Sequence, residues 1–494
     1  MKTITIKNLT KSYAGKTLFE KANFTVGTGD RLAIIGENGA GKSTLLKIIA
    51  GEDEADEGQI LSERLPISYI AQDFTGDTSL SVLAYLEQMR ATPQAYQLIK
   101  SFGILKPLEI ETATLGSLSG GQRRVVEIAA VLSTGPMFLC IDEPENHLDI
   151  KVRSILTELL RDYWGAVLFV SHDNYLVNRI ANKIALVEDE RVTITTGLSY
   201  EAFLAQRDIH RHRAVDNYQA EAKQITKLEK TLAELKRQTT FSDAKAKTYQ
   251  MKKRQLAERQ EALGERPQAE ALVAKLKVQG VLQKQGKLIV SLHDVAYGYD
   301  PATVLLKQVM LDIRFGQKIC LIGRNGAGKS SLLKLLLGET KPQVGEVRQG
   351  LAVKVGTLSQ HNSLMADETP REHFATLGIK EMEARKILTG LLFTPSEIDM
   401  VTARLSGGQK QRLRFALMFY ARPDFIVLDE PTNNLDPTTW QLFVDLVNDF
   451  TGTVLVVTHD RSFIEALQEP TVWVLAKKTV KIWWREVSEA VDSL

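Results

Sequence analysis

The stretch Ile34–Gly51, IIGENGAGKSTLLKIIAG, decides the fold of this 494-residue chain. An apolar run gives way to a glycine-rich turn, and a lysine–hydroxyl pair then opens a helical pattern of Leu and Ile. Strand, tight turn and helix start, in that order, form the context that a phosphate-binding loop requires. Gly36, Gly39 and Gly41 let backbone N–H groups close around phosphates without Cβ obstruction, and Asn38 and Ala40 complete the turn. Lys42 then reaches the β- and γ-phosphates and Ser43 ligates Mg²⁺. The helix start at Thr44 adds the attraction of its dipole.

The same text returns further along. GRNGAGKSSLLKLLLG fills Gly323–Gly338, so Gly323, Asn325, Gly326, Ala327, Gly328, Lys329, Ser330 and Ser331 repeat the first loop. LSGGQRR at Leu118 returns as LSGGQKQ at Leu405. FLCIDEPENHLD ending at Asp149 returns as FIVLDEPTNNLD ending at Asp436, and VLFVSHD at Val167 as VLVVTHD at Val454. Every pair is offset by 287 residues, which marks a duplicated domain. The expected division is a first nucleotide-binding domain at 1–205, a connector at 206–286 and a second domain at 287–494. In each domain, short Val/Ile/Leu runs alternate with helical patterns. That predicts an α/β domain whose strands are buried on both faces and whose ligands bind at the strands' carboxyl ends.

The runs MFLCIDEP and FIVLDEP end in paired carboxylates. A buried strand carries Asp-Glu at its end only where a cation or polar partner offsets the desolvation. Asp142 and Asp429 fit the Mg²⁺ side of such a site, and Glu143 and Glu430 fit the group that orients and deprotonates an attacking water. LSGGQ has two readings. Ser119 and Gln122 match a capping box that merely starts a helix, and the two bare glycines also leave N–H groups open to an anion.

Taken in order, the phosphate loop, Gln72 in YIAQ, LSGGQ, DEP, LD and His172 in VSHD resemble the ATP-binding-cassette ATPases, in both repeats. The resemblance implies two composite ATP sites, each closed by the LSGGQ turn of the other cassette. Ser406, Gly407 and Gly408 would complete the site on Lys42, and Ser119, Gly120 and Gly121 the site on Lys329. Gln72 and Gln360 would sense Mg²⁺ and the attacking water, and His172 and His459 would contact the γ-phosphate. Tyr13 and Tyr299 stand where the family stacks an aromatic on adenine, although a strand-end aromatic is more often core. The two repeats differ just after the glutamate: Glu145 faces Thr432, and His147 faces Asn434. These differences would make the two sites unequal.

Composition narrows the setting. The two cysteines, Cys140 and Cys320, lie in apolar runs and read as core thiols. The start MKTITIKNLTKSY alternates like a strand and lacks the apolar stretch of a signal peptide. No run approaches the length of a membrane span. A cytoplasmic protein is the expectation.

The net charge of +2 hides an asymmetry. Residues 206–286 hold 18 Lys and Arg against 10 Asp and Glu, so the connector carries +8 and the remainder −6. The connector is rich in helix formers, and Ile225, Leu228, Leu232 and Leu235 have coiled-coil spacing. Thr240 or Ser242 would cap a returning helix, and Gly264 and Pro267 would interrupt it. The expectation is a protruding helical hairpin with a basic tip: Lys236, Arg237, Lys245, Lys247, Lys252, Lys253 and Arg254 are candidates for RNA phosphate contact. A solvated helical face is the plainer reading of charge alone.

Tandem cassettes without a membrane segment, joined by a charged helical linker, resemble the ABC-F proteins. The resemblance implies two tandem ABC-type P-loop ATPase domains joined by a helical-hairpin (coiled-coil) linker. It also implies cofactors ATP and Mg²⁺, and a monomer whose cassettes pair with each other. The implied partner is the ribosome, through rRNA and peptidyl-tRNA, with antibiotic resistance by ribosome protection among the roles. The alternative is the fused ATPase subunit of a membrane transporter, which gives no role to a basic hairpin. A chromosome or DNA-repair ATPase would need a longer coiled coil or zinc-binding cysteines.

Overall fold

In the computed structural model, the described residues are 2–13, 15–62, 65–207, 286–299, 304–358, 364–391, 393–433 and 435–483, with short stretches between 224 and 259 and Ala490. The chain forms two compact units. The first comprises Met1–Tyr200, Lys277–Glu368 and Thr402–Leu494, and the second Glu201–Leu276 and Thr369–Val401.

The apolar run before the first phosphate loop is a strand, β3 (Arg31–Gly36), buried along its whole length. It lies fourth in a six-stranded sheet ordered β5 (Ile67–Ile70), β6 (Phe138–Asp142), β7 (Ala166–Val170), β3, β8 (Lys183–Glu188) and β9 (Arg191–Thr196). All neighbours are parallel except β8 and β9, an antiparallel hairpin. The helix Lys42–Ala50 leaves the loop after β3 and packs over β3, β5, β6 and β7. Its apolar side joins Leu45, Leu46 and Ile49 to Phe138 and Leu168 in one core. A small antiparallel sheet ordered β2 (Lys16–Gly27), β1 (Thr3–Tyr13), β4 (Glu57–Ser62) supplies Ile4, Ile6 and Phe19 to the same core. The alternating N-terminal stretch is therefore β1, as expected.

A satellite core gathers Val82, Ile99, Ile110 and Val126 from four helices, Val82–Gln88, Pro93–Phe102, Pro107–Thr112 and Gly120–Thr134. Proline opens the second and third of these, where its missing N–H costs nothing.

The second repeat reproduces the plan. Its small sheet is β11 (Val304–Arg314), β10 (Leu288–Gly298), β13 (Val344–Gln349). Its central sheet is β14 (Val355–Leu358), β15 (Phe425–Asp429), β16 (Thr453–Val457), β12 (Lys318–Gly323), β17 (Thr471–Ala476), β18 (Thr479–Trp483). Cys140 pairs in register with Tyr69 and Leu168, and Cys320 with Val456 and Val472. Both thiols are buried and free, the core role expected of them.

In the second unit, Pro370–Thr376, Glu381–Gly390 and Pro395–Ile398 are helical. Arg371 pairs with Glu381 at 2.8 Å, and Arg385 with Asp399 at 2.9 Å. Such exposed pairs are screened by water and add little. In the connector, 224–225, 227–229, 231–233 and 250–257 are helical. Ile225 and Leu232 are buried and Leu228 is half-buried. The Arg259 guanidinium bonds the Gln224 side chain, tying the two helical stretches together. Leu235, Thr240, Ser242, Gly264 and Pro267 lie outside the described residues.

Candidate functional site

Both phosphate loops sit at the carboxyl ends of β3 and β12. Gly39 and Gly41 have φ of +82° and +99°, and Gly326 and Gly328 +76° and +103°, so these turns need glycine. Gly36 and Gly323 answer to a further constraint. A Cβ on Gly36 would stand 2.3 Å from the Val187 carbonyl oxygen, and one on Gly323 2.9 Å from that of Leu475. The adjacent strand excludes their side chains.

Lys42 Nζ donates to the carbonyls of Gly36 (3.0 Å) and Glu37 (2.9 Å). Burial lowers its pKa, against the opposing pull of Asp436, Glu143 and Asp142. Lys329 Nζ donates to Gly323 O (2.8 Å) and lies 3.0 Å from His459 Nε2. Ser331 Oγ donates to the Tyr299 hydroxyl at 3.1 Å. Tyr13 and Tyr299 are 72% and 69% exposed, which removes the core reading.

The residues at the carboxylate end of the site fit a magnesium ion. Asp142 is buried and bonds the Ser43 side chain, and its Oδ1 has no hydrogen-bond partner among the described residues. Asp429 bonds Ser330 in the same way. Desolvation raises the pKa of both aspartates, Asp142 fully buried and Asp429 with its side chain open to solvent at the strand end, so a divalent cation between hydroxyl and carboxylate would supply the missing charge. Gln72 Nε2 donates to Glu143 Oε2 at 2.8 Å, linking the expected sensor to the expected base. Gln360 lies outside the described residues.

Glu143 and Glu430 share a feature that no sequence pattern announces. Their φ angles are +46° and +47°, a left-handed backbone that costs a non-glycine residue about 1–3 kcal/mol. Glu143 also accepts from Asn146 Nδ2 at 2.5 Å. His172 Nε2 lies 4.0 Å from Glu143 Oε1, and His459 Nε2 3.2 Å from Glu430 Oε1. Burial raises both glutamates, Glu430 to about 7. Burial and then the adjacent lysine push His172 down to about 3 and His459 well below its usual value, so both imidazoles are neutral near pH 7.

The LD pair, which the sequence showed only as a repeated motif, joins the two repeats. Asp149 Oδ1 caps its own helix by accepting from Val152 N (3.0 Å), and its Oδ2 accepts from Asn325 N in the opposite loop (3.3 Å). Asn325 Nδ2 donates to His147 O (3.0 Å), and Ile150 N donates to His459 Nδ1 (3.2 Å). In the other direction, Asp436 acts on Lys42, and the Leu435 backbone bonds His172. Arg324 donates to Gly103 O at 3.0 Å, and the Arg461 guanidinium lies 4.9 Å above the Tyr175 ring.

The capping-box reading of LSGGQ holds in both repeats. Ser119 and Gln122 bond reciprocally as a capping box, as do Ser406 and Gln409. A Cβ on Gly121 would also fall 2.5 Å from His147 O and 3.8 Å from Asn325 Nδ2, where the opposite loop approaches. Gly120 packs beside His147 and Gly408 beside Asp436, while Gly407 faces open space. Lys252, Lys253 and Arg254 lie on the 250–257 helix, the last two exposed. Lys236, Arg237, Lys245 and Lys247 lie outside the described residues.

Two phosphate loops, each backed by a carboxylate pair and a histidine and met by the LD turn of the other repeat, define a tandem nucleotide hydrolase. A family model described as ABC transporter matches residues 19–146 and 306–433. The chain belongs to the ATP-binding-cassette family, in its ABC-F branch, and is an ATP hydrolase. It is similar to the uncharacterized ABC transporter ATP-binding protein YfmR of Bacillus subtilis strain 168: 32% identical over 516 residues, covering 94% of this chain and 80% of that protein. The ATP-binding protein Uup of Escherichia coli K12 is 28% identical, with 92% and 77% covered. Among solved structures, RNase-L Inhibitor shares the fold with a TM-score of 0.68 at 19% identity, over 99% of this chain and 92% of that one. Among the described residues, no helix is long and apolar enough to cross a membrane.

Proposed function

We propose that this ATPase acts on translation: closed around two ATP molecules it binds the ribosome, its basic linker reaches rRNA and peptidyl-tRNA, and hydrolysis releases it. The observation that carries the reading is the bonding of the 147–150 turn to Asn325 and His459. Nucleotide held between the cassettes then governs whether that contact persists. Bound Mg²⁺ would neutralise phosphate charge beside Ser43, Gln72 and Asp142 in one site and Ser330, Gln360 and Asp429 in the other.

The chain's own groups do the rest. Glu143 and Glu430, held in left-handed backbone, take a proton from water, and neutral His172 and His459 meet the γ-phosphate. Tyr13 and Tyr299 stack on adenine. The phosphate loops and the Ser119–Gly121 and Ser406–Gly408 turns clamp the phosphates. ATP drives closure only because it binds the closed state better than the open one.

Two kinds of observation support the ribosome as partner. The connector at 206–286 carries +8 between cassettes at 1–205 and 287–494 that carry −6. Structures of similar fold include ones titled as an archaeal ribosome recycling factor and as ribosome-bound archaeal Pelota and ABCE1. The protein works in the cytoplasm as a monomer, and ribosome protection against an antibiotic is one role open to the linker tip. A Glu143→Gln/Glu430→Gln chain tests the switch. It should hold ATP and cosediment with ribosomes more strongly than the parent; equal cosedimentation would refute the reading.

A further inference from the structure

The helix that follows the first LSGGQ turn carries a buried arginine that the mechanism above leaves unused. Arg124 is 5% exposed. Its Nη1 donates to Ala71 O (2.5 Å) and Glu127 Oε2 (2.9 Å), and its Nη2 to Asp142 O (2.6 Å) and Glu143 O (3.2 Å). One planar fork thus holds carbonyls from two separate segments. Ala71 precedes Gln72, whose amide bonds the Glu143 carboxylate. Asp142 and Glu143 end β6, and Glu143 is the residue in left-handed backbone. Burying a guanidinium is costly unless its hydrogen bonds are met; here both terminal nitrogens are met, by Glu127 and by the carbonyls of Ala71, Asp142 and Glu143, while Nε is buried without a partner among the described residues.

The second repeat differs in sequence here. At the equivalent positions, 287 residues on, Gln411 replaces Arg124 and Arg414 replaces Glu127. A glutamine presents a single amide nitrogen where arginine presents a fork. The duplicated domains therefore share the reacting groups and differ at these two positions of the helix.

We propose that Arg124 is a positioning residue for hydrolysis at the site built on Lys42. It locks Gln72 and Glu143 to the helix Gly120–Thr134, whose first turn approaches Asn325 of the opposite loop. Glu143 is aligned when that helix is seated. This inference rests on the composite-site reading above.

The test uses the full-length chain with one site silenced at a time. In a Glu430→Gln chain only the Lys42 site turns over; in a Glu143→Gln chain only the Lys329 site does. Arg124→Gln should lower kcat of the first about tenfold to a hundredfold at unchanged KM for ATP, as displaced reacting groups do. Arg124→Lys should recover part of the loss. The second chain should stay within about twofold. Because Arg124→Gln strands Glu127 in the interior, Arg124→Gln/Glu127→Gln must show the same split. Equal losses in both chains, a loss confined to KM, or unfolding of both Arg124 variants would overturn the proposal. Residual hydrolysis in the Glu143→Gln/Glu430→Gln chain would instead overturn the assignment of the two bases.

Discussion

Replacing Glu145 by glutamine should make the protein more stable at alkaline pH and leave it nearly unchanged in mild acid. Glu145 is 5% exposed; Ser171 Oγ (2.7 Å) and His172 N (3.1 Å) both donate to its Oε1. Its Oε2 is buried without a hydrogen-bond partner among the described residues. Burial, and then the charge of Asp173, push its pKa from 4.5 up to about 7; Ser171 and Arg153 oppose the shift. The facing groups are Asp173, which Arg153 pairs at 3.4 Å, and beyond it Asp460, which accepts from Trp440 Nε1 at 2.7 Å. The folded protein thus holds the Glu145 proton more tightly than the unfolded chain does. Stability falls as pH rises from about 4.5 to 7 and then levels off, a loss of about 3 kcal/mol at most.

Glutamine keeps the shape, accepts both donors and never ionises, so the variant escapes that loss. For a cassette of this size, about 3 kcal/mol corresponds to a rise of roughly 6–12 °C in melting temperature. Thermal unfolding of parent and variant between pH 5 and 9 reads it directly. The difference should open between pH 5 and 8. A pH-independent offset, or a variant less stable than the parent at pH 8, would refute the reasoning.

Two further outcomes follow from the site. With Glu143→Gln silencing the first site, ATP hydrolysis should climb with pH and reach half its maximum near pH 7, because Glu430, raised to about 7, must lose its proton before it can accept one from water; a flat rate between pH 6 and 8 would count against Glu430 as the base. Gly121→Ala places a Cβ 2.5 Å from His147 O, the carbonyl that holds Asn325, so ATP turnover should fall severalfold while equilibrium ATP binding persists; undiminished turnover would show that this turn is not part of the closed site.

Much of the fold was legible because its signals are local. Phosphate loops, Asp-Glu strand ends and the 287-residue offset need only spacing and residue type, and they located both sheets' catalytic edges. What stayed hidden depends on distant chain segments. Asp149 shows in the sequence only as the end of a repeated motif; it caps its own helix, and its second oxygen turns to Asn325 only because the repeats meet there. Gly36 reads as a phosphate residue, but its missing Cβ answers to Val187 on a neighbouring strand. The left-handed Glu143 and the reach of Arg124 to Ala71 and Asp142 have no sequence period at all. A partial signal existed for Arg124: it breaks the match between the two repeats, Arg against Gln411.

The central claim, that ATP-driven closure directs a basic linker onto ribosomal RNA, is tested most directly by charge removal in the trapped chain. In Glu143→Gln/Glu430→Gln with ATP, Lys236, Arg237, Lys245, Lys247, Lys252, Lys253 and Arg254 are changed to glutamine and ribosome cosedimentation is measured across salt concentrations. The account predicts weaker binding and a shallower salt dependence than in the trapped chain with its charges intact. Binding of undiminished strength with the same salt dependence would contradict it.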